Sequence, residues 1–185
     1  MKVGGLDVGR RFDKTTYLEL NDKCIADIVQ AGSIRFKEQA VFLYPRLRSC
    51  SVIIVDVTGV GQGLYEALEE LRLNVLPATI VAGSKMKLGE GSLTIGKIFL
   101  SQLIATSLPE LVIGEIPSEE RKAFRRELAN FHVVPGKTLK FEARTGHDDR
   151  VIALGLALAG VLVYDRWQQR RFEEEGGRPK SEAVH

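Results

Sequence analysis

The sequence predicts an α/β fold: a mixed sheet in which three antiparallel strands are extended by parallel ones, flanked by helices, with an extra β-hairpin. Three observations lead there. The first thirty residues alternate strand-like runs with polar turns. The run SVIIVDV, Ser51 to Val57, is short, β-branched and almost wholly apolar, as a strand buried on both faces must be. A helix-forming segment and then another strand-forming one follow it, the order of a parallel βαβ unit.

Taken in order, Lys2 to Val8, Thr15 to Leu20 and Lys23 to Gln30 read as a meander, with Arg10 to Lys14 and Asn21-Asp22 as its turns. Ser33 is a candidate cap for a helix from Ile34 to Arg48, whose apolar face is Phe36, Ala40, Leu43 and Leu47. Pro45 should kink or end it. After the central strand, Thr58-Gly59 turns into a helix from Gly61 to Leu71, and Val75 to Val81 supplies a further strand. Gly83 to Gly96 reads as an exposed hairpin or flexible loop. A helix from Lys97 to Thr106, a short strand at Leu111 to Ile113 and a charged helix from Ser118 to Asn130 come next. His132 to Ala143 predicts a hairpin turning at Pro135-Gly136, and an apolar helix starts near Asp148. The domain spans residues 1–167; residues 168–185 read as a polar, disordered tail.

With 185 residues, the chain supports one domain and one site. Lys and Arg number 26 against 24 Asp and Glu, a net charge of +2, so any nucleic-acid contact must come from local placement of charge. The longest apolar stretch, Val151 to Tyr164, falls short of the roughly 20 residues that cross a bilayer and reads as a buried helix, so no membrane role is expected. No secretory signal precedes the first strand, and Cys24 and Cys50 are isolated thiols suited to a reducing compartment.

Three acidic sites break apolar surroundings: Asp7 in GGLDVG, Asp56 in VIIVDVTG, and Asp148-Asp149 in TGHDDRVIALGLALA. A carboxylate beside Ile53, Ile54 and Val55 is partly desolvated, at several kcal/mol unless a charge or metal compensates. Asp7 and Asp56 lack a basic neighbour in the runs that hold them, so a hard divalent cation is the economical partner. Carboxylates converging from two strand ends and a helix start could hold two Mg²⁺ or Mn²⁺ ions about 4 Å apart, as phosphodiester hydrolysis needs. The helix N-terminus favours negative charge at Asp148 and Asp149. Singly, each also has a structural reading: Asp7 as a turn former, Asp56 as a strand-end cap, Asp148 as a helix N-cap.

The order GLDVGRRFDKTT, VIIVDVTGVGQGLYEAL, RTGHDDRVIALGLALA resembles the C-terminal nuclease domain of the large terminase subunit of tailed bacteriophages, over almost the whole chain. The resemblance implies a ribonuclease H-like fold and a metal-dependent endonuclease that cuts concatemeric viral DNA during packaging in the host cytoplasm. It implies Asp7, Asp56 and Asp148 as catalytic metal ligands; Asp149 joins them or faces DNA or a second ion. His147 orients a carboxylate or phosphate or is a plain helix-start residue, and Asp13 fits the family pattern or is a hairpin-turn residue. It further implies a packaging ATPase N-terminal to this domain, with portal and small terminase subunit as partners of the full-length protein, the isolated domain being a monomer.

Lys85, Lys87 and Lys97 flank the Gly-rich segment, where residues 81–145 hold ten basic and seven acidic residues. With Arg10 and Arg11 they are candidates for backbone contacts to double-stranded DNA without base reading, or else an ordinary solvated loop. GSLTIGKI at Gly91 to Ile98 matches G-x-x-x-x-G-K but has Ile98 where Ser or Thr would hold Mg²⁺, which argues against nucleotide binding. The alternatives are a Holliday-junction resolvase or transposase of the same fold, an actin- or sugar-kinase-like ATPase suggested by LDVG and VDVTGVG, and a catalytically silent docking module.

Overall fold

The computed structural model describes residues 1–9, 14–32, 34–134, 140–143 and 148–174, with side chains at all of these except 132–134, 140–143 and 174. Strands β1 (Lys2–Asp7), β2 (Thr15–Asn21) and β3 (Cys24–Ala31) form the expected antiparallel meander. Leu6 lies opposite Tyr17 and Leu18 opposite Ile28, and Asp22 turns the second hairpin at φ 52°. Asp is among the few non-Gly residues that accept that left-handed backbone readily.

Helix α1 (Phe36–Leu47) leads to β4 (Val52–Asp56), which pairs parallel with β1. Val52 to Val55 are fully buried, as their unbroken apolar run requires. Helix α2 (Gln62–Glu70) crosses to β5 (Val75–Val81), parallel to β4. β6 (Met86–Leu88) and β7 (Leu93–Gly96) form a hairpin, but not a free one: β7 pairs parallel with β5 and buries Leu93 and Ile95. That alternation spans only four residues between glycines, which is why the segment reads as a loop. Helix α3 (Lys97–Ser107), a 3-10 turn (Leu108–Glu110), β8 (Val112–Ile113) parallel to β3, and helix α4 (Ser118–Asn130) follow. β9 (Phe131–Val134) and β10 (Lys140–Ala143) make the separate extra hairpin, and helix α5 (Asp149–Glu174) closes the fold.

The main sheet runs β6-β7-β5-β4-β1-β2-β3-β8. Strand alternation divides the core in two. Leu6, Tyr17, Ile53 and Val55 pack with Leu43 of α1 and Leu64 of α2. Val3, Ile54 and Leu76 pack on the other face with Leu100 of α3, Phe124 of α4 and the buried stretch Val151 to Ala159 of α5.

Two expectations are corrected. Pro45 does not end α1, which continues two residues further to Leu47. It sits in the last turn, and the carbonyl it leaves unpaired belongs to Val41, 65% exposed, where water can serve it. Residues 168–174 are not tail but the last two turns of α5: Arg170 donates to the carbonyls of Leu88 (3.2 Å) and Gly89 (2.8 Å), and Arg171 to Asn74 Oδ1 (2.9 Å). Ser33 lies outside the described residues, and the N-cap of α1 is Arg35.

Candidate metal centre

Asp7 and Asp56 end adjacent parallel strands. The last aligned pair is Leu6 with Val55, so the next residue of each strand is an aspartate, and both point to the face that carries α5. The turn after β4 then fixes Asp56. Its Oδ1 accepts the Thr58 N–H (2.8 Å), Thr58 Oγ1 accepts the Ile80 N–H (2.9 Å), and Gly59 takes φ 85°. Gly61 presses on this turn so closely that a Cβ there would lie 1.8 Å from the Asp56 carbonyl oxygen. A side chain at 61 would open the loop that aims Asp56.

Another glycine brings in the third acidic element. A Cβ on Gly5 would lie 1.9 Å from the Ala153 carbonyl oxygen and 2.8 Å from the Ala157 nitrogen, so α5 rests directly on β1. Asp149 stands one turn before Ala153, and Asp7 two residues after Gly5. Rises of 5.4 Å per helical turn and about 6.6 Å per strand dipeptide therefore carry both acids to the same level. The Asp148 carbonyl accepts the Ile152 N–H (2.9 Å), which makes Asp148 the cap of α5, where the helix dipole favours negative charge.

The electrostatics follow from this crowding. Burial pushes the Asp7 carboxyl well above its ordinary range, and the neighbouring charges of Asp149, Asp56, Asp148 and Glu127 push it the same way. Among the described residues, every charged group that acts on Asp7 is an acid. Asp56 is also raised by burial, but the Thr58 hydrogen bonds and the Lys97 ammonium pull it back. Among the described residues no three His, Cys, Asp or Glu side chains close tightly around one point. The acids instead surround Asp7 at coulombic range. An all-carboxylate donor set around a desolvated acid fits a hard divalent ion such as Mg²⁺ or Mn²⁺.

A support that the sequence did not disclose lies behind Asp149. The Arg150 guanidinium donates Nε–H to Glu120 Oε2 (2.8 Å) and hydrogen-bonds Glu127 Oε1, while the Arg150 backbone N–H donates to Glu127 Oε2 (2.8 Å). All three charges are buried or nearly so, and Glu127 is raised by that burial against the pull of Arg150. The clamp ties α4 to the first turn of α5. Its only sequence signal is the i, i+7 spacing of Glu120 and Glu127 on either side of buried Phe124.

Of the basic candidates, Lys97 opens α3 close enough to act on Asp56. Lys85 and Lys87 are exposed; the Lys85 carbonyl accepts the Gly96 N–H (2.8 Å), which holds residue 85 beside the start of α3, and Lys87 pairs with Thr94 across the hairpin. Arg10, Arg11, Asp13 and His147 lie outside the described residues. The G-x-x-x-x-G-K run is strand β7 passing directly into α3, with no loop to cradle a phosphate.

No protein-family model and no curated protein matches the chain. Solved structures do. The large terminase nuclease from thermophilic phage G20c superposes with a TM-score of 0.61 at 22% identity, over 86% of this chain and 81% of that one. The nuclease domain of the large terminase subunit gp2 of bacterial virus Sf6 gives 0.58 at 15%, over 85% and 86%. A point-mutant form of that domain with manganese gives 0.59 at 13%, over 85% and 87%. The chain thus has the ribonuclease H-like fold of phage large-terminase nuclease domains.

Proposed function

We propose that this chain is the nuclease domain of a phage large terminase subunit, a metal-dependent endonuclease that hydrolyses phosphodiester bonds of duplex DNA. The observation that carries the reading is Asp7: a buried strand-end acid on which the charges of Asp149, Asp56, Asp148 and Glu127 all act. Solved structures of the same fold bound to manganese or calcium support a divalent-ion requirement.

In this reading Asp7, Asp56 and Asp148 hold two Mg²⁺ or Mn²⁺ ions, with Asp149 as the further ligand. When bound, the ions polarise the scissile phosphate, lower the pKa of the attacking water and stabilise the leaving oxygen. The chain's own residues position the reaction. The Thr58 N–H fixes Asp56 through its Oδ1. The Arg150 clamp keeps Glu127 bonded and holds the first turn of α5, so that Asp148 and Asp149 keep their places against Asp7. Lys97, Lys85, Lys87, Arg10 and Arg11 contact the DNA backbone without reading bases. In the full-length protein the domain would follow a packaging ATPase, engage the portal and small terminase subunit, and cut concatemeric DNA in the cytoplasm of the infected cell.

The test is plasmid degradation in Mn²⁺ or Mg²⁺. Asp7→Asn and Asp56→Asn should each reduce cleavage to background while circular dichroism stays unchanged, and cleavage by a purified double variant would refute the reading. A preference for four-way junctions over linear and plasmid duplexes would move the chain to the resolvases.

A further inference from the structure

We propose that the outer face of α4, with Lys122, Arg125 and Arg126, is a phosphate-binding surface for duplex DNA on the far side of the carboxylate cluster from Lys97. The inference rests on the nuclease reading above and specifies where its substrate runs.

By composition α4 is nearly neutral, with Arg121, Lys122, Arg125 and Arg126 against Glu119, Glu120 and Glu127. The fold sorts these charges by face. Glu120 and Glu127 turn inward with Phe124 and are consumed by Arg150. Arg121 turns back to the Gly114 carbonyl (2.9 Å). Glu119 pairs with Lys122 (2.8 Å). Arg125 and Arg126 remain exposed and adjacent, with no ion pair to any described residue. Two of the three acids are thus turned to the site, while Arg125 and Arg126 are turned to solvent.

Position gives this face its role. Glu127 accepts the Arg150 backbone N–H (2.8 Å), next in sequence to Asp149, so the second half of α4 ends at the rim of the acidic cluster. Helices α3, α5 and α4 share one face of the sheet, and α5 packs against both others. Across that rim the charge runs positive at Lys97, negative at Asp56, Asp7, Asp148 and Asp149, and positive again at Arg125 and Arg126. A polyanion pressed against carboxylates is repelled at the centre and needs cations on both flanks to be held. From β7 to β1 is three strand spacings, about 14 Å, and one helix-packing step adds about 9 Å. One strand of duplex places a phosphate every 3.4 Å or so along its axis, so roughly seven span the distance. The two flanks therefore grip the backbone on opposite sides of the scissile bond.

The test uses the full chain and a fluorescent duplex of about 30 base pairs, with binding read by anisotropy across a NaCl series in EDTA so that no cleavage intervenes. Arg125→Ala/Arg126→Ala should bind about tenfold more weakly near 0.1 M salt and lower the slope of log K against log salt by about 1.8, at about 0.9 per lost phosphate contact. Arg125→Lys/Arg126→Lys should keep the slope, and Arg48→Ala, at the C-terminal cap of α1 across the sheet, should leave binding unchanged. Wild-type affinity and slope in the double alanine variant would overturn the proposal, and so would a fall in its melting temperature without loss of affinity, since that marks a role in helix stability alone. Asp7→Asn separates this inference from the reading beneath it. It should bind with the wild-type slope and fail to cut, whereas cutting by Asp7→Asn would remove the nuclease reading and this inference with it.

Discussion

Asp7 is strained electrostatically by the same neighbours that suit it to a metal. An acid whose folded pKa lies above its unfolded value binds more protons when folded, so stability falls as pH rises beyond the unfolded value of about 3.9. At neutral pH in chelator, Asp7→Asn should therefore melt at a higher temperature than wild type. Added Mn²⁺ should raise the wild-type melting temperature and leave the variant's unchanged; a variant that melts lower in chelator would contradict this account. A second buried cluster lies on the opposite face. Tyr17 donates to Glu19 (2.9 Å) and lies 3.4 Å from the Cys50 sulfur. Burial pushes the Cys50 thiol up to about 11, Glu19 adds to the rise, and Tyr17 and Lys2 oppose it. The sign is the same: the folded protein holds the thiol proton longer. Stability should decline between about pH 8.5 and 11, and Cys50→Ala should flatten part of that decline in a series of melting curves.

At the scale of elements, the site depends on how closely α5 approaches β1. Gly5→Ala would force α5 off the sheet, at a cost of about 2–3 kcal/mol by overpacking, and would lift Asp149 from Asp7. Denaturant midpoints and plasmid degradation should fall together, with activity lost even where the variant remains folded. Arg150→Ala should cost about 3–5 kcal/mol, because it leaves Glu127 buried and Glu120 half-buried without their cation. The meander, β4 and α5 were legible in sequence because their apolar runs carry the periods of strands and buried helices. The four aspartates were legible because Asp7 and Asp56 lie at the ends of apolar strands and Asp148 and Asp149 open an apolar helix. Glu120, Glu127 and Arg150 were not, since charges in a charged helix look solvated until a partner distant in sequence turns them inward. β7 escaped notice because four residues carry too short a period, and Pro45 misled because a proline in a last turn costs little where water reaches the freed carbonyl.

Over the whole molecule, a net charge of +2 conceals a local concentration of acid, where Asp7, Asp56, Asp148, Asp149 and Glu127 gather at one end of the sheet. Two bound divalent ions would add four positive charges at the acidic end, so DNA affinity should rise on adding Ca²⁺ in wild type and not in Asp7→Asn, as read by anisotropy. Helix α5 runs from this end through the core, and its last turns grip the carbonyls of Leu88 and Gly89 and the side chain of Asn74. It is an axle with bearings at both ends, and Asp148 and Asp149 ride on one of them. A slip of one residue turns such a helix by 100° and would swing Asp149 away from Asp7. A chain cut after Trp167 keeps every candidate ligand yet loses the distant bearing. It should melt lower and cut more slowly, while a chain cut after Glu174 should match the full-length protein in both measurements.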